Sequence, residues 1–144
     1  MISTLFTRSR RLYTTAAILT IIVAAFHTYS TSRPIPPNFD GVVQGMQNAQ
    51  VDMGVGMAPS VWDIDRSLAY TMSITLATMG LLGLVLAGTT EATSRVLSRT
   101  AAVMTAGCIA LTALYWIYKV PPPLTSFGVL TLVWGVAQRT TRHA

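Results

Sequence analysis

The chain has 144 residues, of which 51% are hydrophobic and 10% charged, with a mean hydropathy of +0.51 and a formal net charge of +5. About half of it lies in four apolar runs. A soluble globule of this size cannot bury that much nonpolar surface, so an ordinary water-soluble domain is excluded and lipid is the expected solvent. The basic surplus would suit nucleic acid, but its distribution is the one that membrane insertion reads, so nucleic acid is set aside as a partner.

The first run, Leu12 to Tyr29, follows Arg8, Arg10 and Arg11 and contains no charge. A basic segment ahead of an apolar one also describes a cleaved signal peptide. This run is long for that role, and His27 to Ser32 makes a poor cleavage site, so it is read as a membrane span. An external loop, 30–60, follows. It opens with Arg33-Pro34-Ile35-Pro36-Pro37, an extended exit from the span, and Asn38 is the expected helix cap. Phe39, Val42, Val43, Met46, Ala49, Met53 and Met57 then recur at helical spacing, which predicts an amphipathic helix on the outer membrane surface or folded over the helices as a lid. Gly41, Gly45, Gly54 and Gly56 weaken that helix by about 1 kcal/mol each relative to alanine.

Ser60-Val61-Trp62-Asp63 matches a capping box, so the second helix (61–88) should begin well outside its apolar run, Leu68 to Ala87. Trp62 would then lie at headgroup depth, and Asp63 and Asp65 near the positive end of the helix dipole. The third run, Thr100 to Tyr118, belongs to a helix over 97–119. The fourth, Leu124 to Ala137, reaches the roughly 17 residues that a span needs only if its helix (122–138) starts within Pro121-Pro122-Pro123, where proline suits a first turn.

Arg8, Arg10, Arg11, Arg95, Arg99, Arg139 and Arg142 fall on one side of an up-down-up-down arrangement. Arg33, Arg66 and Lys119 fall on the other, with Asp40, Asp52, Asp63 and Asp65. The bias predicts that both termini are cytoplasmic. The expected fold is all-α: a four-helix transmembrane bundle, a single integral membrane domain over 1–144, with an amphipathic external segment between helices one and two.

His27 is the most suggestive polar residue. It closes the first span on the face shared with Ala17, Thr20 and Ala24, small residues that permit close helix approach. Its two readings are a histidine that closes a helix end through its ring hydrogen bonds, and a group that handles protons or contacts a ligand. Ser67, Thr71, Thr75 and Thr78 form a polar stripe, and Met104, Cys108, Thr112, Tyr115 and Lys119 share one face of the third helix. Both patterns suit interhelical contact better than a transport path. Gly80, Gly83, Ala87 and Gly107 mark expected close backbone approaches.

The outer helix ends supply His27, Asp63, Asp65, Arg66, Tyr70, Tyr115, Trp116, Lys119 and Ser126. From these, the expected ligand-binding set is His27, Asp63, Tyr70, Tyr115, Trp116 and Lys119, with no catalytic residue, metal or cofactor assigned. Met46, Met53 and Met57 near His27 would suit copper(I), but an apolar helix face containing methionine has the same pattern.

Several classes lack the residues they need. No carboxylate lies within a span, which argues against exporters that work through an intramembrane glutamate. The single cysteine, Cys108, rules out thiol-pair oxidoreductases, and His27 and His143 belong to opposite ends of the arrangement, unlike a b-type haem pair. There is no phosphate-binding glycine loop, zinc spacing or serine–histidine arrangement placed for catalysis.

The histidine closing span one, the proline-rich loop with Val42-Val43 and Met46, Trp62-Asp63 at the start of span two and the prolines opening span four together resemble an uncharacterised group of small four-span bacterial membrane proteins. The resemblance implies a bacterial inner membrane location and no particular activity. A looser similarity to DoxX-like four-helix membrane proteins rests on span count. The leading expectation is a non-enzymatic membrane protein that binds a lipid or hydrophobic small molecule, or assembles as a homo- or hetero-oligomer, through its outer-leaflet end. The alternatives are a membrane enzyme or redox subunit in which His27 and an aspartate handle protons, and a small transporter.

Overall fold

The computed structural model describes residues 2–52, 56, 58–89, 93–117 and 121–142, and these are all-helical but for one isolated bridge. Helix α1 is Ile2–Ser32, a 3-10 turn covers Pro37–Phe39, and α2 is Asp40–Asn48. Three longer helices follow: α3 (Val61–Gly88), α4 (Ser94–Ile117) and α5 (Pro121–Arg142).

Helix α1 contains neither glycine nor proline and stops just before Arg33-Pro34, where the proline ring disfavours helical backbone in the preceding residue. Segments Arg10–Ser32, Val61–Gly88 and Ser94–Ile117 are long and apolar enough to cross a membrane. Helix α5 begins at Pro121 and reaches 22 residues. It stands outside that group of three because its prolines and its Gln138–Arg142 end dilute its apolar centre.

The connection between α1 and α3 departs from expectation. Asn38 lies inside the 3-10 turn and caps nothing; Pro36 and Phe39 take the cap positions without side-chain bonds. Helix α2 has nine residues, none of them buried, and gives way to extended backbone at Ala49. Gln50 then pairs antiparallel with Ser60, through Val51 N–H to the Pro59 carbonyl (3.0 Å) and Val61 N–H to the Ala49 carbonyl (2.8 Å). This pairing replaces the helix expected beyond Asn48; Met53, Gly54 and Met57 lie outside the described residues.

The chain divides into two compact units, Met1–Val23 with Ala77–Ala144, and Ala24–Leu76. The first is organised around Trp134, which is fully buried. Its ring meets Tyr13 of α1 edge-on, with centroids 5.1 Å apart and planes at 83°. Such a pair contributes about 0.5–1.5 kcal/mol beyond area burial. Its Nε1–H donates to Thr20 Oγ1 at 3.0 Å, and Thr20 in turn donates to the Ala16 carbonyl at 2.9 Å.

Helix α3 comes close to α1 at Gly80 and Gly83. A Cβ on Gly80 would stand 2.5 Å from Ile21 Cγ1 and 2.9 Å from the Ala17 carbonyl oxygen, and one on Gly83 would stand 2.9 Å from Ala17 Cβ. Both glycines are therefore spacers in the packed seam, as expected of small residues between membrane helices. Gly107 is not, since a Cβ there would have no neighbour within 4 Å. Helices α4 and α5 pack along the face that carries Met104 and Cys108, both buried, with Tyr115 stacked on Phe127 at 5.6 Å.

In the smaller unit, the end of α1 and the start of α3 run antiparallel and are joined by polar contacts. The contrast between glycines is testable. Gly80→Ala should lower the unfolding free energy by about 1–3 kcal/mol, because the overlap includes a backbone oxygen that cannot rotate away. Gly107→Ala should leave it unchanged or slightly raised. Thermal unfolding of the detergent-solubilised protein measures both.

Candidate functional site

The N-terminal end of α3 is set by local chemistry. Asp63 N–H donates to Ser60 Oγ at 3.1 Å, while Ser60 N–H and Oγ–H donate to Asp63 Oδ2 at 3.2 and 2.6 Å. This is the reciprocal capping box expected from the sequence. It occupies the Asp63 carboxylate in closing a helix end, and Asp65 next to it is exposed.

One turn further on, the Arg66 guanidinium donates to the Thr31 carbonyl, among the last carbonyls of α1. It also lies over two rings of its own helix, 5.3 Å from the Trp62 centroid and 5.6 Å from that of Tyr70. A cation at a helix C-terminus is favoured by the dipole, and the aromatic faces add cation–π attraction. The Tyr70 hydroxyl stands 3.3 Å from Ser32 Oγ. Arg33 covers Tyr29 at 5.5 Å.

His27 Nδ1 lies 2.9 Å from Ser73 Oγ. Ser73 is buried, at 4% exposure, and its hydroxyl also reaches the Ala69 carbonyl at 3.3 Å. A hydroxyl has one proton. When Ser73 donates to Ala69, it accepts from His27 Nδ1–H, and Nε2 is left as an acceptor on the far edge of the ring. Arg66, Tyr70 and Ser73 follow one another at spacings of four and three, so a single stripe of α3 holds Thr31, Ser32 and His27 of α1.

The expected binding set is thus distributed as follows. His27 and Tyr70 share the α1–α3 seam of the Ala24–Leu76 unit, and Asp63 is the cap at its edge. Tyr115 and Trp116 belong to the other unit, where Tyr115 packs on Phe127 and Trp116 is 72% exposed. Lys119 lies outside the described residues, as does His143. Among the described residues, no three His, Cys, Asp or Glu side chains come together as a metal site would require.

Ser73 escaped the sequence reading, although it lies on the same stripe as Tyr70. The serine–histidine pair that it forms is an interhelical bond between a buried serine and a half-buried histidine, and among the described residues no carboxylate orients the ring. The stripe read as interhelical glue behaves differently. Ser67, Thr71 and Thr75 are exposed, and each donates to a carbonyl of its own helix, at 2.9, 2.8 and 2.8 Å. Such back-bonding satisfies the hydroxyl without any neighbouring helix.

No protein-family model, curated protein or solved structure matches this chain. The class that the fold defines is a helical protein with three helices long and apolar enough to cross a membrane.

If the His27–Ser73 bond ties α1 to α3, Ser73→Ala and His27→Phe should each destabilise the folded state by about 0.6–1.7 kcal/mol. The double variant should lose little more than either single one. A double-mutant cycle on unfolding in mixed micelles checks this; full additivity would show the two residues to be independent.

Proposed function

We propose that this chain is a small four-span integral membrane protein of the bacterial inner membrane, with both termini cytoplasmic. It works by binding a lipid or hydrophobic molecule, or a partner subunit, through its outer-leaflet end rather than by catalysis. The observation carrying this reading is how little of the most apolar stretch of each candidate span is covered by the chain itself: 28% in α1, 22% in α3 and 17% in α4.

The apolar surface left over extends to the helix ends that the arginine bias assigns to the outside. Phe26 at the end of α1, Leu68 at the start of α3 and Trp116 at the end of α4 are each more than 60% exposed. The Trp116 indole, next in the chain to the equally exposed Ile117, suits the interfacial zone, where one edge of a ligand or lipid is wet and the other dry. The outward polar groups of α1 and α3 are meanwhile engaged in caps and cross-helix bonds. That leaves contact surface, rather than a reactive constellation, as what this end offers. The hydroxyls of Ser67, Thr71 and Thr75, satisfied within their own helix, lend no support to a transport path.

Two experiments test the reading. In a Cys108→Ala background, a membrane-impermeant maleimide applied to intact cells should label Gln47→Cys and leave Thr140→Cys unlabelled until the membrane is opened. The reverse pattern would overturn the orientation. Native mass spectrometry of the protein released gently from its own membranes should show a discrete retained lipid, hydrophobic molecule or partner chain. A bare monomer would overturn the binding role.

A further inference from the structure

The basic ends of α4 and α5 border an open cavity of about 410 Å³ lined by Arg95, Ser98 and Arg99 of α4 and by Gln138, Thr141 and Arg142 of α5. Neither α4 nor α5 contains an acidic residue, so neither helix neutralises these arginines itself; Glu91, the nearest acidic residue in sequence, lies outside the described residues. The cavity also lies beside the first turn of α4, whose backbone N–H groups and dipole add positive potential. Three guanidinium groups, hydroxyls and a helix N-terminus together suit a phosphate, because each arginine offers paired N–H donors to two oxygens.

A second cavity, of about 480 Å³, shares Gln138 and Arg142 with the first, adds Arg139 at that basic end, and continues along the helix pair past Thr105, Leu132, Gly135 and Val136. Thr131 and Arg142 mark its two ends on α5, and the helical rise between them is roughly 16 Å. That is about half the thickness of the hydrocarbon core, the depth of one leaflet. Gly135 lines this groove, and a Cβ added there would meet only Thr105 Cγ2, at an ordinary contact distance of 3.9 Å, so a methyl fits where a longer side chain would fill the groove.

We propose that the α4–α5 face binds an anionic phospholipid, with its phosphate in the arginine cavity and an acyl chain along the groove toward Thr131. A free phosphate would satisfy the first cavity but has no use for the second, and a neutral zwitterionic lipid would leave the arginines uncompensated. The site belongs to the basic ends of the helices and is distinct from the outer-end surface proposed above. It depends on that reading only in requiring a membrane-embedded chain, which the maleimide labelling tests separately.

The experiment uses delipidated protein in non-ionic detergent, offered equal amounts of phosphatidylglycerol and phosphatidylcholine, with bound lipid read by native mass spectrometry. Wild type should retain phosphatidylglycerol in clear preference. Arg99→Gln and Arg142→Gln should each lower that retention roughly fivefold, while Arg33→Gln, in the other unit, should not change it. Gly135→Leu should lower it by filling the groove and Gly135→Ala should not. Leu132→Trp, at a position 71% exposed, blocks the same groove without disturbing the core and serves if Gly135→Leu fails to fold. Equal retention of the two lipids, or an Arg33→Gln loss matching that of Arg142→Gln, would overturn the proposal and leave the arginines a purely topological role. Displacement of phosphatidylglycerol from wild type by millimolar inorganic phosphate would also overturn it, assigning the cavity to a soluble phosphate.

Discussion

A hydroxyl in apolar surroundings has no water to turn to, and this constraint governs how the threonines of the long helices are satisfied. Thr14, Thr20, Thr28, Thr105, Thr112 and Thr131 each donate to the carbonyl four residues earlier, at 2.7–3.0 Å. The bond removes the cost of an orphaned donor and frees threonine to sit on any face. It does not use the oxygen's lone pairs. Thr20 shows what that permits, accepting the Trp134 N–H while its own proton is already placed. The largest buried ring in its unit is therefore held by a residue that would be satisfied without it, and the aromatic contact with Tyr13 can settle on geometry alone.

The same logic separates the two units. In the one around Trp134, close approach of small residues sets the helix spacing, and the contacts are dispersive with a few hydrogen bonds. In the Ala24–Leu76 unit the seam is polar: a histidine–serine bond, a tyrosine hydroxyl beside a serine, and an arginine on a helix-end carbonyl. Such groups belong near water, where a mismatched bond costs less than it would in the hydrocarbon core. One unit is thus packed chiefly by dispersion around a single buried Trp134–Thr20 bond, and the other chiefly by polar contacts between its two helix ends.

Legibility followed sequence separation. The Ser60–Asp63 box, the proline start of α5 and the spacer glycines Gly80 and Gly83 were readable, because each depends on residues a turn apart or on size alone. His27 was readable as a polar residue at a helix end. Its partner was not: Ser73 is 46 residues away, as Trp134 is 114 residues from Thr20, and nothing local distinguishes Ser73 from the exposed hydroxyls of Ser67, Thr71 and Thr75. Only the match of Arg66, Tyr70 and Ser73 along one stripe held that signal. The α2 segment was overread because its apolar spacing continues past Asn48, whereas the backbone turns extended at Ala49 to pair with the strand-like residues before α3. The arginines of α4 and α5 were read only as topology signals, since their convergence on one cavity depends on how two helices pack.

The bridge between Gln50 and Ser60 changes what kind of object the α1–α3 connection is. Because Ser60 both pairs with Gln50 and caps α3, the start of a long helix is joined to the end of the α2 segment. The chain between them becomes a short closed loop whose ends are held whatever its tip contains. Since closure entropy grows only slowly with loop length, residues inserted there would cost the folded state little. The loop so closed is accordingly the part of the α1–α3 connection freest to vary in length and composition.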